Sequence, residues 1–232
     1  MANILASVVV DKSEALLGDS GNAQWAAATH LANLNITQRL IASLKPDVSV
    51  VTTGVGAVSS TALVAGVIQS VPTGGAGLVR LNWNMGLTPG TTVGAPITFI
   101  EMDVLSKTTP GWNTETASAT VVHYMWDERN PTKFMVYPQN TGTGYVSITY
   151  PSTPADISAL SASIILDNIY EPALIHGVCY YAYLEDAAHA LYAQEMAQYH
   201  KNEMLTLIGR KDLVEKENSP RPVRMSTDVT GG

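Results

Sequence analysis

Apolar residues recur at helical spacing near the start of the chain. Two adjacent apolar stripes with the three-and-four spacing of a helix run through residues 3–17 and predict a first helix. The segment 18–22, rich in glycine, aspartate and asparagine, is a strong turn signal and ends it. A second helix is predicted from about Trp25 to Leu44. Pro46 ends this helix, because proline has no N–H with which to continue the hydrogen-bond ladder.

The pattern changes near Asp47, where short alternating runs rich in valine, threonine, glycine and proline begin. Such runs are typical of strands. Alternation over 120–126 and 134–137, on either side of the turn 127–131, predicts a hairpin. The segment 145–150 is expected to add a third strand, which completes a meander of three antiparallel strands. Shorter strands are predicted at 48–52, 67–71, 78–83 and 97–100, and a brief helix at 101–107.

Helical spacing returns after Asp167. A well-buried helix is predicted to begin near Pro172, and a break is expected at Glu185 and Asp186. A further helix then runs to about Ile208, with Gly209 as its C-cap. Residues 210–232 have mixed charge, two prolines and few large apolar residues, so they are expected to be extended or disordered on their own.

These elements predict an α+β fold. Two N-terminal and two C-terminal helices, in residues 1–46 and 165–209, are expected to form a four-helix bundle. A β-rich antiparallel domain, residues 47–164, is inserted between the two helix pairs and projects from the bundle. Residues 210–232 form an extended C-terminal arm.

Composition narrows the possible functions. The formal net charge is −7, from 13 basic and 20 acidic residues, whereas a protein that grips nucleic acid normally carries a basic excess. Hydrophobic residues make up 46% of the chain and charged residues only 14%, and so low a charged fraction argues against disorder over most of the length. The lone Cys179 excludes an intramolecular disulfide and a zinc site built on paired thiolates. Neither a signal peptide nor a membrane span is expected.

No catalytic or metal-binding motif stands out. The glycine-rich run 74–77 lacks the lysine and hydroxyl residue of a phosphate loop and is interpreted as a turn. The five histidines form no pair at helical spacing and no known zinc pattern, so no metal and no cofactor are predicted. No serine lies in a nucleophile elbow. Cys179 lies on an apolar helix and is interpreted as a core residue.

Two groups of residues are candidates for contact with other proteins. The charged triplet Asp127, Glu128 and Arg129 is interpreted as a solvated hairpin tip, which suits contact with a neighbouring chain. Tyrosines cluster on the last two helices, where packing between helices and contact with another subunit are equally good explanations. The candidate contact tyrosines are Tyr181, Tyr192 and Tyr199.

Four ordered segments resemble the head-to-tail adaptor, or connector, proteins of short-tailed bacteriophages. The most specific runs from His123-Tyr124-Met125-Trp126-Asp127-Glu128-Arg129-Asn130-Pro131 through 134–138 to 145–150. The others are the turn and helix of 19–46, Pro72-Thr73-Gly74-Gly75 with Asn84-Met85-Gly86, and 169–187. Together they cover roughly residues 3–209. No single segment is a chemical signature, and the ordered set carries the resemblance.

The resemblance implies a structural virion protein, assembled in the host cytoplasm, that forms a ring of twelve copies. The ring would join the portal to the tail or nozzle proteins, with tail fibre proteins as further neighbours, and DNA would pass through its lumen without specific binding. The C-terminal arm would then dock on the portal through Arg210, Lys211, Arg221 and Arg224.

Two alternatives stay open from the sequence. One is another neck or tail-completion protein with a similar layout. The other is a small virion-associated hydrolase, which would be marked by a deep pocket with two converging carboxylates.

Overall fold

The computed structural model describes residues 3–19, 21–56, 58–89, 92–186 and 191–217, with side chains described up to Gly209. The first half of the chain contains β1 (Asn3–Leu5), α1 (Ala6–Leu17), α2 (Ala27–Leu44), β2 (Val50–Thr52), β3 (Thr61–Ala62), β4 (Ala65–Ser70), β5 (Arg80–Asn84) and β6 (Thr98–Phe99). The second half contains α3 (Met102–Thr108), β7 (His123–Trp126), β8 (Lys133–Thr141), β9 (Tyr145–Pro151), β10 (Ser163–Asp167), α4 (Glu171–Asp186) and α5 (Leu191–Glu217). The predicted α+β class is confirmed.

The chain divides into two compact units, each with its own set of contacts. The β unit comprises residues 35–158 and 163–167. The helical unit comprises residues 2–34, 159–162 and the chain from Asn168 onward. The boundary between the two units falls within α2. Its residues up to Leu34 belong to the helical unit, and its later residues belong to the β unit.

In the helical unit, α4 packs along α5 and also against α1. Val9 and Val10 of α1 are buried, as are Leu174 and Val178 of α4, because each helix turns an apolar stripe inward. Cys179 is also fully buried, which confirms its interpretation as a core residue. Burial raises the pKa of its thiol to about 12, so the sulfur is neutral and unreactive at physiological pH.

The first predicted helix begins later than its pattern suggested. Residues 3–5 form β1, and α1 starts at Ala6, whose N–H donates to the carbonyl of Ala162. The end of α1 is as expected from the turn signal. Gly18 adopts a left-handed conformation with φ of 72°, which only glycine adopts without cost, and its N–H donates to the Ala15 carbonyl.

The prediction that the last helix ends at Gly209 is wrong. Helix α5 continues to Glu217, so the backbone of Arg210 and Lys211 is helical and not extended. Residues 210–217 are mostly strong helix formers, and a single exposed glycine costs a helix only about 1 kcal/mol. The remainder of the predicted arm, residues 218–232, lies outside the described residues.

The β unit contains two four-stranded sheets. In the first, the strands run in the order β4, β8, β7, β6, with β6 parallel to β7 and the other neighbours antiparallel. In the second, β9 pairs antiparallel with β2, β3 and β5. The predicted hairpin of β7 and β8 is confirmed. The predicted helix near 101–107 is present as α3.

The predicted three-stranded meander is wrong, because β8 and β9 lie in different sheets. The alternation over 145–150 suggested one buried face, yet Val146, Ser147 and Ile148 are all buried. A strand buried on both faces occupies the middle of a sheet. Ser147 is accommodated there because its hydroxyl donates to the Thr53 carbonyl at 2.6 Å.

The chain crosses from one sheet to the other over residues 140–144. Buried Asn140 holds this crossing, since its amide donates to the carbonyls of Ser118 and Ala119 and its oxygen accepts from Gly142 N–H. Gly144 passes so close to the neighbouring backbone that an added Cβ would lie 2.2 Å from the Ala119 oxygen. Glycine is therefore required at this position.

Candidate interaction surfaces

The charged triplet lies at the hairpin tip that the sequence predicted. Asp127, Glu128 and Arg129 follow β7 directly, and all three side chains are exposed. The Asp127 carboxylate accepts a hydrogen bond from the Arg129 backbone N–H at 2.9 Å, the short-range bond with which aspartate stabilises a turn. The tip is therefore an ordered projection with its charges available to a partner.

A groove of about 520 Å³ lies beside this tip, and we call it the hairpin groove. Its apolar part is formed by Phe99 and Ile100, Met102 of α3, Met125 and Trp126 of β7, and Met135 of β8. Met125 and Met135 are directly paired across the two strands. Phe99 is 53% exposed and Met102 is 42% exposed, so the groove presents apolar surface to solvent.

The rim of the hairpin groove is acidic. Four carboxylates line it, namely Glu101, Asp103, Asp127 and Glu128, against the single cation Arg129. All four carboxylates are exposed. The rim therefore suits recognition of positive charge.

The sequence did not reveal this groove, because its residues come from three separate segments of the chain. The hairpin itself was predicted, and the alternation placed Met125 near the tip. No local signal indicates that the parallel strand β6 brings Phe99 and α3 alongside β7.

The three candidate tyrosines differ in exposure. Tyr192 is 64% exposed and Tyr199 is 51% exposed, whereas Tyr181 is half-buried. Burial raises the pKa of Tyr181, so its hydroxyl stays protonated at physiological pH. On α5 the surface around Tyr192 also includes Leu191, which is exposed as well. Tyr192 and Tyr199 thus form an outward aromatic face, while Tyr181 contributes partly to packing.

Behind this face the helical unit holds a pair of histidines that the sequence reading missed. The Nδ1 atoms of His176 on α4 and His200 on α5 lie 2.9 Å apart, a distance at which one neutral ring donates to the other. The rings of Tyr183 and Tyr199 contact His200, with centroids 5.6 and 5.2 Å away.

The environment keeps both imidazoles neutral. Burial lowers the pKa of His176, although the negative charge of Glu203 opposes that shift. Burial and then the neighbouring His176 lower the pKa of His200 to about 4. The pair was detectable in principle, because His176 lies ten residues before the end of α4 and His200 lies nine residues after the start of α5, so two consecutive antiparallel helices bring them to the same level.

Among the described residues, no group of three or more histidine, cysteine, aspartate or glutamate side chains is placed to hold a metal ion. The part of the chain that the structure describes also contains no helix long and apolar enough to span a bilayer. Of the four predicted docking cations, Arg210 and Lys211 lie on α5 without a described side chain. Arg221 and Arg224 lie outside the described residues.

The described part of the chain exposes an ordered charged tip, an open groove and an aromatic helix face, which are features typical of proteins that contact other proteins. The sequence model of the SU10 adaptor protein family matches residues 6–226. The chain therefore belongs to the SU10 adaptor protein family. This membership confirms the resemblance to phage head-to-tail adaptors and indicates a structural virion component that associates with head and tail proteins. A search of curated proteins returned no match.

Proposed function

We propose that this chain is a non-enzymatic subunit of a ring between the portal and the tail of a short-tailed phage. The observation that carries the proposal is the family match over residues 6–226, taken with exposed apolar surface on the helical unit. The ring has twelve copies, requires no cofactor, and contacts the portal on one side and tail, nozzle or fibre proteins on the other.

A closed ring needs two different surfaces on each subunit, because the contact between neighbours is heterologous. Tyr192 and Tyr199 supply one such surface. Tyrosine is enriched at interfaces, since its ring buries apolar area while its hydroxyl remains hydrogen-bonded. Leu191 of α5 and Leu184 of α4 add exposed apolar area. The charged tip at Asp127, Glu128 and Arg129 and half-buried Tyr181 are proposed as further contacts with a neighbouring subunit or tail protein.

A ring that continues the DNA channel must not retain DNA. The net charge of −7 supports this role, because an acidic protein repels the phosphate backbone and lets it pass. In this proposal DNA is a passing cargo and not a bound ligand.

We further propose that α1, α2, α4 and α5 close a four-helix bundle domain in residues 1–46 and 165–209, with 47–164 as the inserted domain. The chain beyond Glu217 then acts as the portal-docking arm. The arm segment 219–226 contains Arg221 and Arg224 and no acidic residue, which supports pairing with an acidic portal surface.

Replacing Tyr192 and Tyr199 with alanine together is expected to reduce the number of subunits that assemble on the portal. Both side chains are exposed but their rings also contact Tyr183 and His200, so the free energy of unfolding should fall by about 1–3 kcal/mol while the subunit stays folded. Assembly is measured by light scattering of the complex with the portal protein of the same phage. Leu87→Ala, which removes an equally exposed apolar side chain from the β unit, is the matched control. Full assembly by the double variant would contradict a role for this face.

Ending the chain at Glu217 is expected to leave the described helices and strands folded and to weaken portal binding about tenfold, because two exposed ion pairs contribute roughly 1–2 kcal/mol. The dissociation constant for the portal is measured by sedimentation. A full-length variant with Arg221→Gln and Arg224→Gln shows whether the loss of binding comes from the two charges or from the shorter chain. Undiminished binding by the shortened chain would contradict the docking arm.

A further inference from the structure

We propose that the hairpin groove binds a segment of a partner protein that carries arginine or lysine beside apolar side chains. This proposal rests on the proposed function only because we expect the partner to be another virion protein. The groove is formed by residues of the β unit alone, so binding does not require a ring.

The apolar part of the groove is the first observation. Phe99 and Met102 are each about half exposed and lie beside the buried Met125 and the half-buried Met135. Scattered exposed apolar residues are normal on a surface, but a contiguous patch within a concave groove is typical of a binding site. A second groove of about 390 Å³, which shares Met125 and Met135, extends the patch toward the exposed Ile68 of β4.

The kind of side chain in the groove is the second observation. Three of the chain's eight methionines, Met102, Met125 and Met135, line it. Methionine is unbranched and polarizable, so it adapts to the shape of different apolar side chains. Such surfaces bind short segments with varied aliphatic or aromatic anchors.

Charge decides between the possible occupants. Four exposed carboxylates line the rim, against Arg129 and, in the second groove, Lys133, so a segment with basic residues gains favourable electrostatic energy there and an acidic segment loses it. A second copy of this chain fits less well, because the whole molecule is acidic. A cationic segment of a different protein is therefore the occupant that the groove favours.

The experiment uses the full-length protein and two peptide probes of equal length, one alternating lysine and leucine and the other glutamate and leucine. Binding is followed by the fluorescence of Trp126, with its assignment checked in Trp126→Phe, and by NMR shifts of the methionine methyl groups. We expect the cationic peptide to bind more tightly than the acidic one and to shift Met102, Met125 and Met135. Added salt should weaken the binding.

The test variant carries Glu101→Gln and Glu128→Gln, since neither side chain takes part in a hydrogen bond within the described residues. We expect this variant to bind the cationic peptide about fivefold more weakly, because it loses two exposed charge pairs that together stabilise the complex by roughly 1 kcal/mol. The control variant carries Asp11→Asn and Glu185→Gln, which removes the same amount of negative charge from exposed residues of the helical unit. Its affinity should match that of the original protein.

Three results would overturn the proposal. The first is equal affinity for both peptides, and the second is an equal loss of affinity in the control variant. The third is displacement of the cationic peptide by a peptide of residues 219–226 at lower concentration, which would assign the groove to the chain's own C-terminal segment. Ring formation on the portal is measured separately, so failure of the proposed function and failure of this inference are distinguishable.

Discussion

Gly144→Ala is expected to lower the free energy of unfolding of the β unit by about 3 kcal/mol, because its Cβ would meet backbone that cannot move aside. The added methyl group would lie 2.2 Å from the Ala119 oxygen and 2.7 Å from the amide nitrogen of Asn140. Relief requires breaking the hydrogen bonds that Asn140 donates to Ser118 and Ala119. Urea denaturation followed by tryptophan fluorescence measures the change.

Gly209→Ala is the matched control and is expected to act in the opposite direction. Nothing lies within 4 Å of the Cβ that would be added there, and the residue is inside α5. Alanine should therefore raise the stability of the helical unit by about 0.8 kcal/mol through helix propensity. If Gly209 were instead a left-handed C-cap, alanine would destabilise the helical unit by about 1 kcal/mol. The sign of the stability change therefore distinguishes a helix interior from a helix end at Gly209.

If Gly144→Ala were as stable as the original protein, that result would contradict the close approach of the chain at 140–144.

Acid is expected to destabilise the helical unit by about 3 kcal/mol between pH 6.5 and pH 4, since the folded pKa of His200 is about 4 against an ordinary value of 6.5. Above pH 6.5 the imidazole is neutral in both states and the stability is fully present. As the pH falls, the unfolded state takes up the proton first, and stability is lost until the folded protein also protonates near pH 4. His200 is only 2% exposed, so solvent cannot screen the charge.

The measurement is urea denaturation followed by far-ultraviolet circular dichroism at a series of pH values. In His200→Gln the loss of stability over this interval should be much smaller, whatever the stability of the variant at pH 7. His123→Gln changes a histidine of the β unit, and its loss of stability over the same pH interval should match that of the original protein. A slope that is the same in all three proteins would contradict a neutral, buried histidine pair.

Local chemistry made several elements predictable from the sequence. The turn 127–131 between alternating strands, and the end of α2 before Pro46, depend on neighbouring residues alone. The burial of Cys179 followed from its position on an apolar helix stripe. Such features are predictable because glycine, proline and periodicity act within a few residues of the chain.

Features that depend on distant parts of the chain were not predictable. The alternation over 145–150 is the same for an edge strand and for the middle strand β9, and only pairing with β2, β3 and β5 distinguishes them. The end of α5 was misplaced because glycine is favoured at a helix C-cap, whereas here Gly209 is tolerated inside the helix. The hairpin groove and the pair of His176 with His200 join residues that are far apart in sequence, so only the folded arrangement reveals them.

We propose that copies of this chain assemble side by side on a phage portal. Electron microscopy of the purified protein mixed with the portal protein of the same phage is the decisive experiment. We expect a ring of this chain, in twelve copies, bound to one face of the portal and open along its axis. Portals that stay bare while the protein remains monomeric would contradict it.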